Sequence, residues 1–397
     1  MLAWTLGGVY ALLAANYLAE LATAIPKAGG YFVYAHRAYG SFGGFIVGWS
    51  DWLYQTLGLA FIAVVFGEYS VELFQTNFAG DRVAFSVSIL ILLTILNWIG
   101  LRSGSATQKL TSILKAVALF GFIVACFVYG GQSDPEGAQT PAAVQTAGTF
   151  APLIAFILAF QLVLGTYDGW HSAIYFTEED TNPSRNLPRS LFGGIAMIIA
   201  IYLLVNIALL YVLPMSQLAG SKFAGADAIS LIFGPLSGQI VTTLALLSIV
   251  GIINALLLMS PRILLALSRK GLFAAQASEV NKGGTPTFGL AATAISAVIL
   301  SSVGTFELLL AVSQFFAVTI TTLLVISLFI LRRREPDLPR PYRAWGYPFL
   351  PMVVLVITVL LVFGYITSNP YPSFYAIVLL AVSYPIFRLI KRRAIED

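Results

Sequence analysis

Cysteine is almost absent from this chain: Cys126 is the only one, and it lies inside an apolar run. No internal disulfide can form, and no thiolate cluster can hold a structural zinc. Histidine is nearly as scarce. His36 and His171 are far apart and in no metal-ligand spacing, and neither a P-loop nor a GxSxG elbow occurs. The sequence thus predicts no enzyme, no cofactor and no bound metal, and energy drawn directly from ATP would require a separate subunit. Charge is scarce too. Only 10% of the 397 residues are charged, 58% are hydrophobic and mean hydropathy is +0.86, whereas soluble domains carry roughly 25% charged residues. That balance excludes a soluble globular protein.

What is present in abundance is apolar sequence in runs of about the length that crosses a bilayer. Reading those runs against charged and Pro/Gly-rich breaks predicts an all-α membrane protein with eleven spans, near 3–25, 42–66, 83–101, 109–130, 150–177, 190–213, 236–268, 287–303, 306–331, 346–367 and 373–391. Gly, Ala, Ser and Thr within them allow close helix packing. Nineteen of the 22 basic residues, from Lys27 and Arg37 to Arg392 and Arg393, fall in one set of alternating loops and the C-terminus. The opposite set holds Arg82 and Lys222, and Lys115 lies inside a span. That asymmetry predicts a cytoplasmic C-terminus and, with eleven spans, an outside Met1. The pI near 9 is then a topology signal, and nucleic acid is not an expected partner. Met1 opens directly into the first span, which argues against a removable signal peptide. The longest polar insertion, about 131–147, is expected outside.

The fifth span is interrupted by Leu164-Gly165-Thr166-Tyr167-Asp168-Gly169-Trp170. Glycines flanking an acid are poor helix formers, and breaks at membrane depth are tolerated only where the backbone faces protein or a water-filled cavity. Half-helix ends at such a break bind charged substrate groups in secondary transporters. Close helix packing at Gly165 and Gly169 is the competing reading. Asp168 is expected either to cap a half-helix or to touch substrate, and His171 either to couple protons or to bond to a neighbour. Lys115 either snorkels to the interface or stands as a fixed ammonium where a sodium-driven relative would bind its ion. Asn254 is expected to bond across helices or to line the cavity. Glu20 and Asp51, read as lying near span ends, are expected on loop backbone or basic residues. Arg332-Arg333-Arg334 is expected to anchor to phospholipid headgroups.

Several segments then resemble the amino acid permeases of the amino acid–polyamine–organocation superfamily, especially the L-type amino acid transporter branch. These are Tyr17-Leu18-Ala19-Glu20-Leu21 through Ile25-Pro26-Lys27-Ala28-Gly29-Gly30-Tyr31, then Tyr167-Asp168-Gly169-Trp170 with Thr177-Glu178-Glu179 and Asn182-Pro183-Ser184-Arg185-Asn186-Leu187-Pro188. Asn254 with Arg262, and Pro339-Arg340-Pro341-Tyr342-Arg343 with Tyr347-Pro348, continue the match in order. The resemblance implies a LeuT-like pair of five-helix inverted repeats plus two C-terminal helices. On this chain 1–130 would be the remainder of the first repeat, 150–331 the second, and 346–391 the last two helices. It implies amino acid transport by alternating access at the plasma membrane, with substrate against Leu164, Gly165, Thr166, Tyr167, Asp168 and Gly169. It also favours the ammonium role for Lys115, and hence proton coupling or exchange over sodium. Two departures accompany it. The family's Gly-rich first helix has no counterpart in this sequence, and Gly165 stands where many members carry an aromatic gate. The loop near 67–82 has no cysteine, so no disulfide-linked heavy chain is expected. The rival expectations are a non-transporting binding or regulatory relative, and a carrier of polyamines or other amines.

Overall fold

The computed structural model describes residues 1–78, 80–131, 151–221 and 223–396. Lys222, almost all of the 131–147 insertion, and the side chains of Arg102, Arg392 and Arg393 lie outside the described residues. In chain order the helices are α1 (Leu2–Ala24), α2 (Tyr31–Phe74), α3 (Asp81–Ile99), α4 (Leu101–Tyr129), α5 (Ala151–Thr166), a 3-10 segment (Trp170–Glu179), and α6 (Pro183–Val212). The short α7 (Met215–Gly220) and α8 (Ala224–Phe233) follow, then α9 (Pro235–Ser268), α10 (Thr287–Val303), α11 (Phe306–Arg334), α12 (Phe349–Ser368) and α13 (Pro370–Glu396).

Among the described residues nine of these helices are long and apolar enough to cross a membrane. The other two expected spans correspond to the 17-residue α10 and to the broken pair of α5 and the 3-10 segment. Local chemistry sets most boundaries. α1 stops before Pro26, which has no N–H and restricts the residue ahead of it. α6 starts on Pro183, where a missing N–H costs nothing. The Thr305 side chain caps α11 by accepting from the Leu308 amide, and Arg332, Arg333 and Arg334 complement the dipole at its other end. At 44 residues α2 is about 66 Å long, twice the bilayer core. It is in fact two helices joined at Gly40 (φ 78°), which explains why the apolar pattern predicted a span only from residue 42.

α2 is the axis of the bundle, with α11 and α9 along its length and α3, α10 and α13 completing its surroundings. Its buried face carries Tyr34, Phe45, Trp52, Leu53, Tyr54 and Leu57, which pack in one core with Tyr17 and Leu18 of α1 and Phe315 and Phe316 of α11. On the other flank α1 lies against α6 and α5.

Two glycines of the Pro26–Gly30 turn permit this packing. A β-carbon on Gly29 (φ 113°) would come within 2.3 Å of Ala266, and one on Gly30 (φ 57°) within 2.2 Å of the Tyr175 ring. Both conformations favour glycine, and both contacts require it.

Candidate substrate cleft at the broken helix

α5 ends at Thr166, and the chain passes through Gly169 at φ 95° before re-forming as the 3-10 segment. The interruption that the glycines predicted is therefore a real change of backbone, from α-helix to 3-10 helix. At this point the Thr166 hydroxyl donates to the Val163 carbonyl at 2.7 Å, and the Tyr202 hydroxyl donates to the Thr166 carbonyl at 2.8 Å. Backbone freed by the break is thus answered in part from α6.

The break opens into a cleft of about 640 Å³, a volume that includes the open solvent at its mouth. α1 supplies Tyr10, Ala11 and Ala14 to its wall, and α2 supplies Tyr31 and Tyr54. The break supplies Leu164, Tyr167, Asp168, Trp170 and His171, α11 supplies Gln314, Ala317, Val318 and Thr321, and α12 supplies Tyr365. Small residues leave the space, and tyrosines, an acid, an amide and an imidazole give it polar edges. That combination suits a small polar molecule with an apolar part.

Asp168 is the most connected polar group there. Its Oδ1 accepts the Gly169 amide at 2.8 Å, and its Oδ2 accepts the Tyr54 hydroxyl. The Nδ1 of His171 stands 3.5 Å from Oδ1. His171 itself is buried among the rings of Tyr31, Trp170 and Tyr175, and its Nε2 has no hydrogen-bond partner among the described residues.

Leu164, Tyr167 and Asp168 line the cleft. Gly165 faces α11, where a β-carbon would sit 3.3 Å from Gln314 Nε2. Tyr167 turns its hydroxyl to the Trp4 carbonyl at 2.9 Å, and its ring joins Trp4 and Tyr202 in an aromatic cluster. Gly169 faces open space. Asn254 is not in the cleft. It donates to the Gly104 carbonyl at 3.0 Å and to Gln108 Oε1 at 3.1 Å and accepts from Asn97 at 2.9 Å, so it bonds across helices and fastens α9 to α3 and α4. Lys115 is half-buried on α4, away from the cleft lining.

Glu20 holds the basic residues expected of it. Arg332 donates to it at 2.8 Å and 2.5 Å, Arg340 Nε lies 3.1 Å away, and the Ala344 amide donates at 2.6 Å. Asp51 does not follow its expectation. It is fully buried on α2 and accepts the Tyr175 hydroxyl at 2.7 Å, with neither a basic residue nor loop backbone bonded to it among the described residues. The fold accounts for this correction: residue 51 lies well past the Gly40 junction, on a face of α2 that meets Tyr175 of the 3-10 segment rather than a loop.

Sequence reasoning missed Tyr10, Tyr31, Tyr54, Tyr175, Gln314, Thr321 and Tyr365. Only the α2 group had a local signal, the polar density of Ser50-Asp51-Trp52-Leu53-Tyr54-Gln55-Thr56 within an apolar run. The others are ordinary bundle residues until the helices are assembled.

Known transport proteins resemble this chain in sequence. The chain is 29% identical to the serine/threonine exchanger SteT of Bacillus subtilis, over 89% of this chain and 80% of that protein. It is 27% identical to the mouse b(0,+)-type amino acid transporter 1, over 98% and 79% of the two chains. With the mouse Asc-type amino acid transporter 1 the identity is 29%, over 97% and 73%. The amino acid permease family model matches residues 1–383, nearly the whole length, and the chain accordingly belongs to the amino acid permease family.

Proposed function

We propose that this protein carries amino acids across a plasma membrane by alternating access, with the substrate held against the broken helix between Leu164 and Gly169. The observation that carries the reading is the cleft at the change from α5 to the 3-10 segment, walled by α1, α2, α11 and α12. The end of a broken helix presents backbone dipoles to the charged amine and carboxylate of an amino acid, and the small residues opposite leave room for a side chain. The exchanger and transporters named above support amino acids as the substrate class. In this reading 1–130 and 150–331 are the two repeats, with 346–391 added to them.

The basic end of the bundle, where Glu20, Arg332, Arg340, Arg37 and Glu335 meet, is assigned to the cytoplasm together with the C-terminus. Lys115 is assigned the fixed ammonium that replaces sodium, so the driving force is a proton gradient or exchange. With Cys126 buried on α4 and no cysteine in 67–82, a disulfide-linked heavy chain is not part of the proposal.

The test is counterflow of labelled serine, threonine and larger neutral amino acids in proteoliposomes. Saturable counterflow is expected in the native chain, with loss in Gly169→Leu at unchanged membrane insertion. Uptake unaltered by Gly169→Leu would overturn the placement of the site. Saturable binding without flux would favour a non-transporting relative.

A further inference from the structure

Two acid–phenol bonds join α2 to the re-formed half of the broken helix. Tyr54 on α2 donates to Asp168, and Tyr175 on the 3-10 segment donates to Asp51 on α2 at 2.7 Å. Gln55 Nε2 donates in turn to the Tyr175 hydroxyl at 3.1 Å. Asp51, Tyr54 and Gln55 stand at i, i+3 and i+4, so one helical face carries all three. Asp168 and Tyr54 belong to the cleft already described, whereas Asp51 and Gln55 are absent from its lining.

Asp51 is fully buried, and its Oδ2 has no hydrogen-bond partner among the described residues. The titratable groups that act on it are Tyr175 and Asp168 from the broken helix and Tyr31 and Tyr54 from α2, all acids or phenols. α9 brings Arg262 to this region, but that guanidinium is occupied by Glu179 and the Leu258 carbonyl. No cation lies within ion-pair distance of Asp51 among the described residues. A buried carboxyl without a cation is tolerated as the neutral acid and becomes an ion only when water reaches it.

We propose that Asp51 is the proton-binding site of the transport cycle, closed by Tyr175. While the 3-10 segment lies against α2, the carboxyl carries a proton taken from water on one side. When the segment moves, the Tyr175 bond breaks, water enters, and the O–H gives its proton to water on the other side. Gly30 admits the Tyr175 ring to this position, so the site depends on the same turn that orients α2. The inference rests on the transporter reading and adds its coupling ion.

The experiment is accumulation of labelled serine in proteoliposomes under an imposed pH gradient, beside counterflow without a gradient, for the native chain, Asp51→Asn and Tyr175→Phe. Gradient-driven accumulation is expected to fall about tenfold in Asp51→Asn while counterflow stays within about twofold of native. Tyr175→Phe is expected to keep driven uptake with a displaced pH profile. Driven uptake in Asp51→Asn equal to native, no response of the native chain to the gradient, or loss of both activities in a folded Asp51→Asn each overturns the proposal. Infrared difference spectroscopy adds a readout that needs no transport: a carboxylic-acid carbonyl band at neutral pH, absent in Asp51→Asn. Lack of that band in the native protein overturns the proposal as well. Failure of counterflow in the native chain would instead refute the transporter reading, and the infrared band would still decide whether Asp51 holds a proton.

Discussion

Arg262 on α9 donates two hydrogen bonds to Oε1 of Glu179, at 3.1 Å from Nε and 2.7 Å from a terminal nitrogen, and so fastens the far end of the 3-10 segment. Its guanidinium also lies 4.3 Å from the centre of the Phe176 ring. Glu179 is half-exposed, so the pair is weaker than a buried one. Arg262→Ala is expected to lower stability by about 1–2 kcal/mol, and Arg262→Lys to recover only part of it because lysine has no planar fork. Thermal unfolding in detergent checks both.

Glu20 is a larger commitment. It is 1% exposed and answers Arg332, Arg340 and the Ala344 amide together, joining α1 to α11 and to the loop before α12. Glu20→Gln leaves guanidinium groups without their anion, and a loss of about 3 kcal/mol or more is expected. The same unfolding assay should rank it above Arg262→Ala; the reverse order would contradict this account.

Gly30 and Gly169 both adopt positive φ, at 57° and 95°, but only Gly30 is crowded. Alanine at 169 meets open space and pays backbone strain alone, about 1–3 kcal/mol. Alanine at 30 adds an overlap with the Tyr175 ring. Gly30→Ala is therefore expected to be the more damaging for folded yield and melting temperature.

The Arg37–Glu335 pair gives a pH dependence with a definite sign. Two hydrogen bonds of 3.0 Å from Arg37 Nε, and a third of 2.5 Å from a terminal nitrogen, hold the Glu335 carboxyl below its ordinary value, with burial opposing. A lowered folded value means that the stabilisation is complete above the ordinary glutamate value of 4.5 and is lost as pH falls through the lowered one. Comparing native and Glu335→Gln melting temperatures as pH is lowered should show a gap at neutral pH that closes in acid. Both side chains are about one-third exposed, so added salt should shrink it.

Asn254 joins three helices through one amide. Asn254→Leu leaves the Gly104 carbonyl and the Asn97 amide without this partner, and a loss of about 1–3 kcal/mol in thermal stability is expected. Because Asn254 stands outside the cleft, the apparent affinity for substrate in counterflow should stay unchanged.

The sequence by itself determined the all-α membrane architecture, because apolar run length and loop charge are one-dimensional properties that a bilayer reads directly. It also marked the break at Gly165–Gly169, since helix propensity is local, and set Glu20 on loop backbone or basic residues, while its actual partners Arg332 and Arg340 came only with the fold. Asp51 shows where local reading fails. Its meaning depends on Tyr175, 124 positions away, whose hydroxyl it accepts. The tyrosines and Gln314 of the cleft were hidden for the same reason: in an apolar helix every face looks alike until packing decides which one meets a neighbour and which one meets the cavity. Gly30 lies between the two cases. Its place in a turn was legible from composition, but only the ring of Tyr175 lying against it shows why no larger residue fits.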